Sequence, residues 1–430
     1  MKKLLLTTVA AIALATPALA SNSVSTVNQS GAANGATVDQ TGSVMGGDSF
    51  VDQSGDTNTA NVTQSDDGSG LSSPMNFSDV LQSGDGNTAT LTQDTSTFQV
   101  SSTSLIDQSG DNNNATVTQL DDWQDSSVIQ SSDGNTATVD QGDATLALSD
   151  SSYGNTSDVL QAGNGGHSAT VLQAGLFNSS IIEQTGDGGI ADVSQTGSNN
   201  DSEVYQTDSG DIANVDQSGN SNDSYINQEG TDILAEVTQS GNFNTSSVDQ
   251  SSPGGVRPIN SDVFVSQAGD FNSSVVEQRG NQALVDVTQD GTNSDSTVWN
   301  YGNRSDAFVI MRSGGDNNSA FIDQRAEDSD ATIDTWFGAS NNVATIIQRE
   351  DSPPTENFTA TIFQDGDDGD SLIDQDGNDH DAFNWQIGDN NSSSILQTGV
   401  NNSASVVQFT SNNVSNVVQG GMNNTANVSQ

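Results

Sequence analysis

Along this chain apolar and polar positions alternate in short bursts, and each burst ends on the same side chain. Taking the terminal glutamine as position zero, Val or Ile stands two residues earlier in 32 of 34 bursts. Ala or Ser stands four residues earlier, also in 32. Polar or variable residues fill the places between, as in Asn-Thr-Ala-Thr-Val-Asp-Gln at 135–141. Alternation at period two predicts a β-strand with one buried and one wet face. The β-branched residue at its centre favours the same element.

Gly follows two residues after the glutamine in 21 bursts, for example Gly175, Gly186 and Gly197. Such a glycine predicts a tight turn directly after the strand. From Gln173 to Gln250 the zero position recurs every eleven residues without a slip. Over the chain Gln fills 31 of the 34 zero positions, with Asn300, Met311 and Thr335 at the others. A fixed short period of this length predicts a repeat architecture.

The residue four before zero alternates between Ser and Ala: Ser25, Ala36, Ser49, Ala60, and so on to Ala426, with Ala320 and Ala344 standing for Ser and Val263 and Val285 for Ala without shifting the order. The true period is therefore 22 residues, two strands and two turns. The expected fold is all-β, a β-solenoid of about seventeen flat coils with cross-β, amyloid-like stacking. At the usual inter-strand spacing this is a rod roughly 80 Å long. Hydrophobic residues make up only 31% of the chain, so the core between the sheets is thin. Ladders of stacked Gln and Asn amides, each donating to the next coil, are expected to carry much of the stability. The expected ladder residues are Gln173, Gln184, Gln195, Gln206, Gln217, Gln228, Gln239, Gln250, Gln375, Gln386, Gln397, Gln408, Gln419 and Gln430. Asn87, Asn113, Asn135, Asn402 and Asn424 join them.

Of the 33 intervals between units, nine exceed eleven residues. Loop insertions are expected near 65–76, 142–155, 251–260 and 349–357, and Pro74, Pro253, Pro258, Pro353 and Pro354 all fall in long intervals. Proline cannot join a central ladder. The Ser/Ala order holds across every insertion, so the loops decorate the solenoid without shifting it.

Residues 1–20 differ in kind. Lys2 and Lys3 precede an apolar stretch that ends in Ala18-Leu19-Ala20, the pattern of a secretory signal peptide too short to span a membrane. The repeat region is then 21–430, with no later segment apolar enough to cross a bilayer. Without cysteine the exported chain has no disulfides. Beyond the two lysines, six Arg face 57 acids, a net charge of 6 − 57 = −51, and no Lys or Arg lies between Ser21 and Val256. Nucleic acid and anionic membrane surfaces are excluded as partners.

No enzyme chemistry emerges. His167 and His380, the two histidines, both stand six residues before a zero position, where Asn34, Asn87 and Asn135 stand elsewhere. They read as substitutions within the repeat. No His/Cys metal cluster and no register-independent Ser/His/Asp group is present. Acidic loops such as Asp365–Asp370 offer weak divalent-cation binding at most, and no cofactor is expected. Arg279, Arg312, Arg325 and Arg349 directly follow zero positions, where they relieve the charge of stacked acids.

The unit Ser-x5-Gln-x-Gly-x3–4-Asn-x-Ala-x3-Gln resembles the curlin repeat, the building block of curli fibres on bacterial surfaces. Residues 58–64, 113–119, 135–141, 402–408 and 424–430 carry the match, and the resemblance runs from about residue 23 onward. It implies a secreted structural protein that self-assembles into extracellular functional amyloid for cell adhesion and biofilm matrix. By the same resemblance its partners are further copies of itself, a nucleator subunit and an outer-membrane secretion system. The pattern gives no polar caps at either end of the repeat region, which favours end-to-end stacking. The alternative expectation is a monomeric surface adhesin, or a fibril nucleator or cap, that binds a ligand through its loops.

Overall fold

A computed structural model describes residues 23–42, 46–66, 76–95, 101–120, 122–142, 154–252, 257–350 and 357–430. The expected leader at 1–20, four of the prolines (Pro74, Pro253, Pro353, Pro354), most of the insertions near 65–76, 142–155 and 349–357, and residues 253–256 lie outside them. The described chain is all-β, a parallel β-solenoid with two sheets and about 22 residues per coil. It divides into two compact units, residues 1–199 and 200–430.

In the first unit seven strands with Ser at the fourth place before zero, from Val24–Gln29 to Ser179–Gln184, build one sheet. Seven strands with Ala there, from Gly35–Gly42 to Ile190–Ser198, build the other. The second unit repeats the plan with ten strands in each sheet, from Asp201–Gln206 to Thr425–Ser429, with Ala320 and Ala344 in place of Ser and Val263 and Val285 in place of Ala. Pairing places like on like: Ser25 faces Ser49 and Gln29 faces Gln53, while Ala213 faces Ala235 and Gln217 faces Gln239. A one-residue slip would expose every core side chain, so the alternation fixes the register.

The insertions leave that register intact. Gln53 faces Gln82, Gln141 faces Gln173, Gln239 faces Gln267 and Thr335 faces Gln364, each pair spanning a long interval. Pro258, the described loop proline, rejoins the coil through its carbonyl, which accepts the Thr231 N–H at 3.0 Å.

Val204, Ile226 and Val248 are buried in one sheet of the second unit, Ala213, Ala235 and Val237 in the other. The buried rows are narrow, so the two sheets lie close, and each coil turns sharply. At Gly219 (φ 112°) a Cβ would run into the Gly241 carbonyl oxygen of the next coil. Only glycine fits there.

Candidate functional site: the amide ladders

Each zero-position glutamine points inward from the end of its strand, so its amide is buried and must be paired. In the second unit Gln217 Nε2 donates to Gln239 Oε1 at 2.8 Å, and Gln239 Nε2 donates to Gln267 Oε1 at 2.8 Å. The second proton of each crosses the core: Gln217 reaches the Asp201 carbonyl at 2.8 Å and Gln239 the Asp223 carbonyl at 2.9 Å. One side chain therefore binds coil to coil and sheet to sheet, which no aliphatic residue could do. In the other sheet Gln206, Gln228 and Gln250 run the same way at 2.9 and 3.1 Å.

The first unit holds Gln141, Gln173 and Gln195 in one line (2.9 and 2.8 Å), and Gln161 donates to Gln184 at 2.9 Å in the other. Toward the C-terminus Gln375, Gln397 and Gln419 are linked at 2.9 Å each. Gln386, Gln408 and Gln430 follow at 3.2 and 3.1 Å.

The asparagines behave differently from the expected amide stack. Asn87 Oδ1 accepts the main-chain N–H of Asn113, and Asn113 Oδ1 that of Asn135, both at 2.8 Å. Asn87 Nδ2 donates to the Gly110 carbonyl of the next coil at 2.7 Å and Asn135 Nδ2 to the Ser132 carbonyl of its own turn at 2.9 Å, while Asn113 Nδ2 has no partner among the described residues. Asn424 and Asn402 are linked amide to amide, at 2.9 Å. The short Asn side chain reaches the neighbouring backbone before it reaches a neighbouring amide, so this row closes the turns.

The two histidines occupy the same row by imitation. His167 Nδ1 accepts the Gly189 N–H at 3.1 Å, and its Nε2 meets the Ala162 carbonyl at 2.8 Å. His380 Nδ1 accepts the Asn402 N–H at 3.3 Å, and Nε2 faces the Asp376 carbonyl at 3.3 Å. A neutral ring with its proton on Nε2 supplies one acceptor and one donor, as an asparagine does. Burial lowers the pKa of both rings. Asp211 stands in this row too, and burial, with Asp208 and Asp232 nearby, pushes its carboxyl up to about 7. Its Oδ1 accepts the Ile233 N–H at 3.4 Å, and its buried Oδ2 has no partner among the described residues.

Both glutamine ladders break in the second unit where the sequence departs from Gln. In the next coil Gln289 finds the Met311 sulfur, at 3.9 Å, in place of an amide oxygen, and its Nε2 rests on the Ser273 and Ser294 carbonyls at 3.0 and 2.9 Å. Asn300 is too short to reach its neighbours and turns to the Ser305 carbonyl (2.7 Å). Among the described residues the side-chain oxygens of Asn300, Gln324, Thr335, Gln348 and Gln364 are left unpaired. Backbone pairing continues unbroken through the gap.

All six arginines lie between residues 257 and 349, around this gap. Arg312 pairs with Asp334 at 2.7 Å, Arg325 with Asp323 at 2.8 Å, Arg349 with Asp374 at 3.4 Å, and Arg279 with Glu277. Charge relief at the positions after zero is thus present. Arg279 and Arg325 also lie over the Tyr301 ring, at 4.9 and 5.7 Å from its centroid. Beside it Trp299 and Phe321 pack edge to face at 5.1 Å. Sequence reasoning singled out the arginines and missed these aromatics. Their signal was available, since Tyr301 stands in the position after zero between Arg279 and Arg325.

Among the described residues no three acidic, His or Cys side chains are grouped as metal ligands, and no helix is long and apolar enough to cross a membrane. The fold and the ladders define a structural repeat protein. The family model for the curlin associated repeat matches three times, at residues 167–197, 211–241 and 260–291. These three segments are similar to the curlin associated repeat, which supports a curlin-repeat family and a curli-related structural protein. No curated protein matches it.

Proposed function

We propose that the chain is a secreted subunit of extracellular amyloid-like fibrils, adding end to end to serve cell adhesion and biofilm matrix. The observation that carries this reading is the polarity of the glutamine ladders. Every link runs from an Nε2 donor to an Oε1 acceptor one coil later, so the two ends of a ladder are complementary. The described strand Val24–Gln29 is exposed and is paired along one edge, to Asp48–Gln53. Val414–Gln419 and Thr425–Ser429 are likewise paired on one edge, to Ser392–Gln397 and Ser403–Val407. Their other edges have no partner among the described residues, and such an edge templates another strand. The Gln419 and Gln430 amides of one copy match the Gln29 and Gln40 oxygens of the next, Ser-type on Ser-type and Ala-type on Ala-type. The ladder glutamines then become the fibril core.

Each copy carries far more acid than base, so repulsion opposes this stacking and salt, divalent cations or acid accelerate it. Seeded polymerisation of purified residues 21–430, followed by amyloid-dye fluorescence across a salt series, tests the reading. Growth that fibril seeds speed up, faster at higher salt, is the expected result. A chain that stays folded and soluble with seeds present would overturn it and leave a discrete adhesin acting through its insertions.

A further inference from the structure

The outer face of the Ser-type sheet in the second unit changes character over four coils. The position after zero reads Arg279, Tyr301, Arg325, Arg349 in successive coils, each strand paired in register with the last. The pairing of these arginines is lopsided. Arg325 is 52% exposed against 9% for Asp323, and Arg279 37% against 22% for Glu277. The carboxylates sit low and the guanidinium groups stand outward, those of Arg279 and Arg325 over the Tyr301 ring. A protein of net charge −49 therefore presents one row of cations and an aromatic ring at the coil pitch, about 4.8 Å.

The counterpart is another row at the same pitch. In the first unit Asp56, Asp85, Asp111 and Asp133 are exposed in successive coils. Asp85, Asp111 and Asp133 each accept the N–H of the aspartate before it, at 2.7 to 2.8 Å. No Lys or Arg anywhere between residues 21 and 256 neutralises that row. We propose that the Arg279–Tyr301–Arg325–Arg349 row is a lateral docking surface for a second copy of this chain, which lays its aspartate row along it. Both rows inherit their spacing from the same coil, so over four coils three guanidinium groups each meet a carboxylate and the remaining place faces Tyr301. A partner without the solenoid repeat could satisfy one or two of them and then fall out of step. Tyr301 supplies a desolvated floor on which the Arg–Asp contacts are stronger than on open surface.

This contact does not depend on end-to-end growth, and its salt response has the opposite sign. Attraction between unlike rows weakens as salt rises, whereas stacking of like-charged copies speeds up. The test places a photo-crosslinking benzoylphenylalanine at Ile347, a half-buried residue two places before Arg349 on the same strand. Equal amounts of light and nitrogen-15-labelled full-length chain are mixed as soluble protein, irradiated, and mapped by mass spectrometry.

Mixed-isotope crosslinks to peptides carrying Asp56 to Asp133 are expected. They should fall about tenfold in high salt and in the R279Q/R325Q/R349Q variant, the sum of several surface charge pairs. Circular dichroism of the variant confirms that the fold is kept. If that variant does not fold, D85N/D111N/D133N supplies the same test from the opposite row. Absent mixed-isotope crosslinks, crosslinks landing only beyond residue 256, or crosslinks indifferent to both variants and salt would each overturn the proposal. Seeded growth measured on the same variants reports separately on end-to-end assembly.

Discussion

The side-chain amide of Gln217 donates to that of Gln239 at 2.8 Å, at the same register one coil later. Gln239 in turn donates to Gln267 and, across the core, to the Asp223 carbonyl. Replacing Gln239 by Leu keeps the volume but strands Gln217 Nε2, Gln267 Oε1 and the Asp223 carbonyl without this partner. Buried groups left unpaired cost about 1–3 kcal/mol each. A loss of roughly 2–4 kcal/mol is expected in urea unfolding. A loss under about 0.5 kcal/mol would show that the amide ladder contributes little beyond filling space.

The converse substitution is more discriminating, because it should stabilise. Gln289 Nε2 now faces the Met311 sulfur, and Thr335 Oγ1 in the next coil has no partner among the described residues. Met311→Gln offers an acceptor to the first and a donor to the second with little change in volume. We expect a gain of about 1 kcal/mol in the same unfolding assay. A destabilised variant would mean that the gap at 300–348 is built around the thioether rather than merely lacking glutamines.

Turn glycines fall into two classes that one experiment separates. At Gly219 (φ 112°) a Cβ would strike the Gly241 carbonyl oxygen, so coil stacking itself must give way in Gly219→Ala. At Gly338 (φ 79°) nothing lies within reach of a Cβ, and Gly338→Ala meets only left-handed strain, about 1–2 kcal/mol. Thermal unfolding should place Gly219→Ala well below Gly338→Ala. Equal midpoints would show that close coil approach at Gly219 is relaxed at no cost.

Much of this was legible in the sequence, and the reason is translational symmetry. Once Gln29 and Gln53 share a register, every later coil repeats the same environment, so the two sheets and the buried Val, Ala and Gln rows follow from counting. What counting misses is competition within a row. Asn113 and Gln119 both carry amides, yet only the longer side chain reaches its counterpart, while Asn113 is captured by the N–H of Asn135. Burial of Asp211 was also hidden, because a lone acid in an asparagine row looks like any other surface substitution. The cation–aromatic row needs two facts at once, the position after zero and the side-chain types in neighbouring coils.

Asp211 and His380 occupy equivalent places and should respond to pH in opposite directions. Burial raises the Asp211 pKa from its ordinary value to about 7, so the unfolded chain gives up this proton more readily. Stability from this site is greatest when the carboxyl is protonated, and it falls as pH rises from about 4 through 7. At one pKa unit per about 1.4 kcal/mol the effect amounts to a few kcal/mol. Asp211→Asn carries no charge and can donate to a turn carbonyl, so it should stabilise the chain at neutral pH and flatten this part of the profile. His380 works the other way, since burial lowers its pKa and Nδ1 must stay unprotonated to accept the Asn402 N–H. The unfolded chain takes up that proton first, and stability is lost as pH falls below about 6.5. His380→Asn should remove this acid-sensitive component and leave stability at neutral pH little changed. Urea midpoints from pH 4 to 8 for the parent chain and both variants decide the matter. If the two difference curves slope the same way, one of the two side chains is not buried as described.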